Sequence, residues 1–270
     1  MWTGIIVGVL GAISTDSWTT IWMMMEINLM SFLPIITFEW TSKKRALLYF
    51  IVQSIGSLGV LLGGLFRDWL TITVLWVTFG LLLKASLAPF QFWGGRFISS
   101  VNRLNAFLFL TLQKLTPLIF LFVSSSKNIL LFIILLNVFA STSRIGSKMT
   151  VLFLFFTGLI HICWILAATF STACWYFILY VLITIPLFSN SSSDLTLMIL
   201  NMAGLPPITG FFMKIGVLQC AGGGLAFTLL IFSMLHLFAY RRQFIIGATS
   251  GKELRALTIT TCCLGLLTSG

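Results

Sequence analysis

The chain has 270 residues, of which 59% are hydrophobic and only 8% are charged, and its mean hydropathy is +1.08. Soluble domains carry about 25% charged residues, so this composition excludes a water-soluble globular protein. The apolar residues form long runs between short polar breaks, which is typical of a polytopic membrane protein. Eleven spans of about 20 residues would use about 220 positions, which leaves no room for a domain outside the membrane.

Taken in chain order, the apolar runs predict eleven transmembrane helices and an all-α fold. The runs are apolar on every face, as in residues 104–123 and 149–168, whereas strands of a membrane β-barrel would alternate apolar and polar residues. The predicted helices span residues 2–14, 18–38, 46–66, 69–88, 103–123, 128–142, 149–170, 172–189, 195–219, 224–240 and 255–269.

The net charge of +10 is best explained by membrane topology, because the basic residues are scattered through the connections and form no nucleic-acid-binding patch. The even-numbered connections contain Lys43, Lys44, Arg45, Arg96, Arg103, Arg144, Lys148, Arg241, Arg242, Lys252 and Arg255, whereas the odd-numbered ones contain only Arg67 and Lys127. This asymmetry predicts that the even connections and the N-terminus face the cytoplasmic or matrix side, and the C-terminus the opposite side. Because no Arg-rich leader is visible, we expect either a cleaved leader or insertion from the side of synthesis.

The three remaining basic residues, Lys84, Lys114 and Lys214, fall inside predicted spans. A charge at mid-membrane costs about 2.5 to 3.5 kcal/mol on insertion scales, so these lysines need a functional reason or must extend to the membrane surface. Glu26 is the one acidic residue in mid-span. It is either the partner of one of these lysines or a protonated side chain bonded to a neighbouring helix.

His161 and His236 are the other titratable residues of the predicted spans, and each is either a packing residue or a proton carrier. The five cysteines lie in apolar runs without metal-ligand spacing, and neither GxGxxG nor GxxxxGK[ST] occurs. We therefore expect no redox cofactor and no metal in this chain.

Prolines lie close to all three lysines of the spans. Pro89 and Pro117 leave the carbonyls of Ala85 and Gln113 without their helical donors, beside Lys84 and Lys114. A Pro206-Pro207 pair precedes Lys214 by two turns. Broken helices at membrane depth are packed in protein or line wet cavities, and transporters use them repeatedly.

The broken segments, Lys84 to Trp93 and Asn201 to Lys214, fall in the fourth of predicted helices 1–5 and in the fourth of predicted helices 6–10. This spacing predicts two five-helix repeats, 1–123 and 124–242, and a C-terminal helix within 243–270. Because five is an odd number, the second repeat enters from the opposite face, and the two repeats are inverted in the membrane.

Four motifs together resemble one family, the antiporter-like membrane subunits of proton-pumping NADH:ubiquinone oxidoreductase. They are Glu26-Ile-Asn28-Leu-Met-Ser-Phe32-Leu-Pro34, Leu83-Lys84-Ala-Ser-Leu-Ala-Pro89-Phe-Gln-Phe-Trp93, Thr111-Leu-Gln-Lys114-Leu-Thr-Pro117 and Ala203-Gly-Leu-Pro-Pro-Ile-Thr-Gly-Phe-Phe-Met-Lys214. The resemblance covers nearly the whole chain. The sequence departs from the family at Gln91, where histidine is common, and at Gly94-Gly95-Arg96, where a Pro-Glu pair is common.

The resemblance implies a proton relay through Glu26, Lys84, Lys114, His161 and Lys214, driven by NADH oxidation and ubiquinone reduction elsewhere in the complex. It implies that FMN, iron–sulfur clusters and ubiquinone are held by other subunits. The partners would be other membrane-arm subunits, including neighbouring antiporter-like ones, and bilayer lipids, without nucleic acid. The implied location is the mitochondrial inner membrane, with the N-terminus in the matrix and the C-terminus in the intermembrane space.

Two alternatives remain open at this point. A subunit of a multisubunit cation/proton antiporter would share the same motifs. A structural module with inherited but inactive lysines would also share them.

Overall fold

The computed structural model describes residues 1–38, 43–66, 73–143, 150–188, 199, 201–204 and 209–248. Within these ranges all regular secondary structure is helical, which confirms the predicted all-α class. The helices are α1 Trp2–Ser14, α2 Trp18–Thr37, α3 Lys43–Leu65, α4 Thr73–Ala85, α5 Gln91–Ile98, α6 Arg103–Leu110, α7 Leu112–Ser124, α8 Lys127–Thr142, α9 Thr150–Ala167, α10 Phe170–Phe188, α11 Thr209–Cys220 and α12 Gly223–Ala248.

Several helices have the length and composition of membrane spans. Among the described residues, four are long and apolar enough to cross a bilayer: Trp18–Thr37, Lys44–Leu65, Arg103–Ser124 and Gly223–Arg241. Five further apolar helices in the same part of the chain have 10–17 residues.

The surface and the interior show the polarity expected in lipid. Large apolar side chains point outward, with Leu10 61% and Phe238 69% exposed. Polar side chains, in contrast, lie inside the helix packing, among them Asn28, Gln113 and Asn137. A soluble protein would expose an apolar surface this extensive only at interaction sites, so this arrangement fits a chain surrounded by lipid.

The chain divides into two compact units, Met1–Ile133 and Ile134–Gly270, with the division inside α8. In the first unit α1 packs on α2, α2 on α3, α3 on α4, and α4 on α7. In the second unit α9 contacts α10, α11 and α12. The five-helix repeat boundaries at 123 and 242 stay a prediction.

The structure corrects the predicted helices at three places. A helix, α5, covers residues 91–98, which the sequence assigned to a connection; Gly94 and Gly95 are buried there, so they serve packing. The predicted helix 103–123 is interrupted at Thr111, whose φ of −112° and ψ of −83° separate α6 from α7. Helix α12 continues to Ala248, so Arg241 lies in a helix and not in a connection.

Other predictions fall wholly or partly outside the described residues. These are the final helix 255–269, the Pro206-Pro207 pair, and the connections that contain Arg67, Arg144, Lys148, Lys252 and Arg255.

Candidate functional site

Lys84 lies where α4 ends, and its side chain is only 6% exposed. Ser86 follows with a positive φ of 52°. The Ser86 amide donates to the Leu83 carbonyl (3.2 Å) and the Leu87 amide to the Leu82 carbonyl (3.0 Å), which is a Schellman-type helix end. The helix therefore ends at Ala85, four residues before Pro89, the residue to which the sequence attributed the break.

The carbonyls at this helix end are satisfied by side chains. Gln53 Nε2 of α3 donates to the Lys84 carbonyl (3.0 Å), and Ser86 Oγ donates to the Ala85 carbonyl (2.6 Å). The acceptor that Pro89 frees is therefore already occupied by the Ser86 hydroxyl. The Gln53 bond fixes the backbone of Lys84 against α3.

Helix α3 also connects Lys84 with Glu26. Ser57 Oγ donates to Glu26 Oε1 of α2. At the preceding position, Gly56, an added Cβ would lie 2.9 Å from Lys84 Cγ, so only glycine lets the lysine stem lie this close. Glu26 and Lys84 interact electrostatically. Consecutive residues of α3 thus contact both members of the predicted pair, Gly56 the stem of Lys84 and Ser57 the carboxylate of Glu26.

A chain of uncharged polar side chains joins three helices of this unit. The Tyr49 hydroxyl of α3 donates to Gln113 Oε1 of α7 (3.2 Å), and Gln113 Nε2 donates to Asn28 Oδ1 of α2 (3.0 Å). Buried polar groups are stable in a membrane interior only when bonded in this way. The chain connects the helix of Glu26 with the helix of Lys114.

A small cavity lies beside Lys84, with about 10 Å³ open to the centres of water molecules. Its lining consists of Met25, Asn28, Leu29, Tyr49, Gln53, Lys84, Gln113, Thr116 and Pro117. Five of these side chains besides the lysine carry hydrogen-bonding groups, and Thr116 Oγ1 has no partner among the described residues. Such a polar space is suited to an ordered water.

Lys114 is 2% exposed and lies in the first turn of α7, directly after the interruption at Thr111. Its amide donates to the Thr111 carbonyl (3.1 Å), while both the amide and the hydroxyl of Thr111 bond to the Phe107 carbonyl. The interruption thus lies six residues before Pro117, which stays inside α7. Gln113 and Thr116, on either side of Lys114 in sequence, line the cavity beside Lys84.

In the second unit, Asn201 closes the broken helix that precedes α11. Asn201 Oδ1 accepts hydrogen bonds from Thr209 Oγ1 (2.6 Å) and from the Gly210 amide (2.8 Å), which are the first two residues of α11. A side-chain oxygen that caps a helix start satisfies donors that have no helical partner. One asparagine thereby joins the two halves of the break.

Lys214 points back to this break. Its Nζ donates to the Ala203 carbonyl (2.6 Å) and lies 5.9 Å from the centre of the Trp164 ring, within range of a cation–π interaction. Gly204, with φ +72°, turns the chain beside it, and a Cβ there would lie 2.9 Å from Lys214 Nζ.

His161 of α9 is bonded at both ring nitrogens. Nδ1 lies 2.9 Å from the Tyr176 hydroxyl and Nε2 lies 3.2 Å from the Tyr240 hydroxyl. His161 also interacts electrostatically with Lys214 and with His236. The structure therefore brings His161 and Lys214, both predicted relay residues, into one cluster within the second unit.

Neither unit shows a metal centre in the part of the chain that is described. No group of three His, Cys, Asp or Glu residues there could hold a metal ion.

Sequence comparison identifies similar proteins across animals, although no protein-family model matches the chain. NADH-ubiquinone oxidoreductase chain 2 of Metachirus nudicaudatus is 29% identical over 88% of this chain and 82% of its own length. The protein of the same name from Lumbricus terrestris is 28% identical over 87% of this chain and 82% of its own length. The chain is a homologue of NADH-ubiquinone oxidoreductase chain 2. The resemblance inferred from the four motifs is thereby confirmed.

Solved structures with the same fold come from three kinds of assembly. A chain of respiratory complex I from Thermus thermophilus, with bound aureothin, has a TM-score of 0.83, 17% identity and 98% coverage of this chain. It is matched over 77% of its own length. A chain of the Mrp complex from Dietzia sp. has a TM-score of 0.76 and 15% identity, and the match covers 88% of the present chain and 58% of the Mrp chain. A chain of an archaeal membrane-bound sulfane sulfur reductase has a TM-score of 0.79 at 16% identity, and the match covers 98% of the present chain and 72% of the reductase chain. At these identities the likeness shows the fold.

Several uncharged polar residues of the two sites were not predicted from the sequence, because a charge in an apolar run is a stronger signal than an uncharged polar group. They are Asn28, Tyr49, Gln53, Gln113, Tyr176, Asn201 and Tyr240. The signal that could have found them is an uncharged polar side chain inside an apolar run, which must find a partner in the membrane interior.

Proposed function

We propose that this chain is a proton-translocating membrane subunit of NADH:ubiquinone oxidoreductase. The observation that carries the proposal is the placement of the buried Lys84 and Lys114 and the part-buried Lys214 beside helix breaks, in a homologue of chain 2 of that enzyme. An intramembrane lysine is costly, and a broken helix supplies the carbonyls and the space that a proton path requires.

In the first unit, Glu26 controls the charge of Lys84. A carboxylate close to a buried ammonium stabilises it, because the attraction is weakly screened in this environment. When the carboxylate moves away from Lys84 or takes up a proton, the ammonium loses this stabilisation and releases its proton. Formation and rupture of the Glu26–Lys84 ion pair would therefore load and unload the lysine.

The proton then passes to Lys114. The cavity between Lys84 and α7 is lined by hydrogen-bonding side chains, and a water there can connect the lysine ammonium to the α7 wall. Gln113, next to Lys114, offers its amide to that path and is fixed by Tyr49 and Asn28.

In the second unit, Lys214 and His161 continue the relay toward an exit or a neighbouring subunit. Lys214 is oriented by the Ala203 carbonyl, and His161 is oriented by Tyr176 and Tyr240. Imidazole can both accept and donate a proton, which suits a group placed between hydroxyls.

The proposal assigns the chain to the mitochondrial inner membrane, with the N-terminus on the matrix side and the C-terminus in the intermembrane space. The basic residues of the even-numbered connections support this orientation. Its partners would be the other membrane-arm subunits, including neighbouring antiporter-like ones, and bilayer lipids. FMN, iron–sulfur clusters and ubiquinone would be held by other subunits, whose redox reactions drive the relay.

The test compares assembled, reconstituted enzyme with Lys84→Ala or Glu26→Gln in this chain. We expect both variants to pump several-fold fewer protons per NADH, because each removes one member of the charge pair. The matched control is Lys127→Ala, which removes an exposed lysine at the first residue of α8 and should pump at the wild-type level. Wild-type pumping and quinone reductase activity in both site variants would contradict the relay.

The fold shared with a chain of the Mrp complex supports a second candidate, a subunit of a multisubunit cation/proton antiporter. Purification separates the two functions. Copurification with flavin and iron–sulfur subunits supports the oxidoreductase. Sodium/proton exchange by a complex that lacks those subunits would support the antiporter.

A further inference from the structure

His236 of α12 is a buried titratable residue that the relay above does not use. Its side chain is 1% exposed, and its Nε2 lies 2.9 Å from Ser141 Oγ of α8. The other ring nitrogen, Nδ1, is buried and has no hydrogen-bond partner among the described residues. Buried polar atoms are nearly always paired, so an orphaned imidazole nitrogen in an apolar span calls for an explanation.

The hydrogen bonding of Ser141 identifies which nitrogen of His236 carries the proton. Ser141 Oγ lies 2.6 Å from the Val138 carbonyl, which can only accept a hydrogen bond. A serine hydroxyl has one proton, so when Ser141 donates to Val138 it must accept from His236. Nε2 then carries the hydrogen, and Nδ1 presents a lone pair that can accept a proton.

The cation of this cluster is Lys214, whose Nζ lies 5.9 Å from the centre of the Trp164 ring, about one turn after His161 on α9. His161 in turn bonds to Tyr240, about one turn after His236 on α12. The Lys214 ammonium has three protons, and the Ala203 carbonyl accepts one of them. His161 also lies within electrostatic range of Lys214, but tyrosine hydroxyls already occupy both of its nitrogens. Of the two histidines in this cluster, His236 is therefore the one with an unoccupied basic nitrogen.

We propose that His236 accepts the proton that Lys214 releases, through water or polar groups between them, and is a further relay residue of the second unit. In this step an N–H bond breaks at Lys214 Nζ and an N–H bond forms at His236 Nδ1. The lysine becomes a neutral amine, and the histidine becomes an imidazolium that keeps its Nε2–H bond to Ser141. The total charge is unchanged and moves from α11 to α12. The inference rests on the proposed function, since it needs Lys214 to carry protons.

The test uses assembled, reconstituted enzyme with His236→Gln, Lys214→Ala or Ser233→Ala. Glutamine can still donate to Ser141 but cannot be protonated in place of the imidazole. Ser233 precedes His236 by about one turn of α12, and among the described residues its hydroxyl bonds only locally, to the Leu230 carbonyl. We expect His236→Gln and Lys214→Ala to pump at least two-fold fewer protons per NADH, while Ser233→Ala pumps normally.

The outcomes separate the two hypotheses. Normal pumping by His236→Gln with lost pumping by Lys214→Ala would overturn the role of His236 and leave the proposed function standing. Normal pumping by both variants would contradict the proposed function itself.

A second measurement covers the case in which His236→Gln does not assemble. Infrared difference spectra of the wild-type enzyme during turnover should contain an imidazolium band. Because His236 Nε2–H bonds to Ser141, the variant Ser141→Ala should shift that band. Spectra without an imidazolium band, or with a band unchanged in Ser141→Ala, would overturn the inference.

Discussion

The two units hold a lysine at membrane depth in different ways. In the first unit Lys84 has a carboxylate nearby, Glu26, and its backbone is fixed by Gln53. In the described part of the second unit there is no Asp or Glu at all. There Lys214 is stabilised by the Ala203 carbonyl and the face of Trp164, with His161 and His236 as neighbours.

The difference teaches that a buried ammonium can be stabilised either by an opposite charge or by oriented dipoles. A counter-charge can be switched by moving or protonating one carboxylate, which changes the lysine charge in a single step. Dipoles and ring faces do not switch in this way, so the proton must leave toward another base. The first arrangement suits a controlled gate, and the second suits a site of onward transfer.

The largest loss of stability is expected at a glycine that contacts a lysine. Each unit has one such glycine, so the two can be compared. Gly56→Ala would place Cβ 2.9 Å from Lys84 Cγ and 3.0 Å from the Gly80 carbonyl, which is backbone and cannot move aside. We expect a loss of about 3 kcal/mol of stability from this overpacking. Gly204→Ala meets only the flexible end of Lys214 and adds the strain of a positive φ, about 1 kcal/mol.

The measurement is the temperature at which half of the assembled enzyme loses quinone reductase activity. Gly216→Ala is the control, because a Cβ there meets nothing within 4 Å. If Gly204→Ala destabilises the enzyme more than Gly56→Ala, the tight helix contact is not the feature that distinguishes the first unit.

The next largest loss of stability is expected at the helix break of the second unit. Asn201→Ala leaves Thr209 Oγ1 and the Gly210 amide without their acceptor, and we expect a loss of about 2 kcal/mol. Asn201 Nδ2 has no partner among the described residues, so only the oxygen matters. Thr209→Val removes one of the two bonds and should cost about half as much in the same thermal assay. Equal losses in the two variants would show that the Gly210 bond contributes nothing.

Much of the fold could be predicted from the sequence, because long apolar runs in a nearly uncharged chain permit few structures. Helix α1 was predicted at its observed ends, and α2 to within one residue. Helix α5 was missed because Gly94 and Gly95 suggest a loop, although they are buried by packing. The break at Thr111 was not predicted, because proline is a visible signal in a sequence, whereas a threonine hydroxyl bonded back to the Phe107 carbonyl is not.

The candidate sites were predictable only in part, for a similar reason. Charged residues are rare in spans, so Glu26, Lys84 and Lys214 stand out in the sequence. Their partners Gln53, Ala203 and Ser57 do not stand out, because a carbonyl or a hydroxyl becomes a ligand only through the three-dimensional arrangement of the helices.

The smallest expected effect is the one that tests the counter-charge in the first unit. Ser57→Ala removes the hydroxyl that bonds to Glu26 but keeps the carboxylate, so the attraction between Glu26 and Lys84 remains. Side-chain hydrogen bonds in membranes contribute on average about 0.6 kcal/mol, and the Ser57 hydroxyl also lies 2.9 Å from the Ser54 carbonyl. We therefore expect a stability loss below about 1 kcal/mol in the thermal assay and nearly normal protons per NADH.

The control for this variant is Ser54→Ala, whose hydroxyl bonds only within α3, to the Ile51 carbonyl (2.9 Å). Glu26→Gln, in contrast, keeps an acceptor for Ser57 and removes the charge. If Ser57→Ala abolishes pumping as fully as Glu26→Gln does, the first unit depends on an oriented hydroxyl rather than on a counter-charge. The two units would then stabilise and discharge their lysines by the same means, since dipoles would govern both.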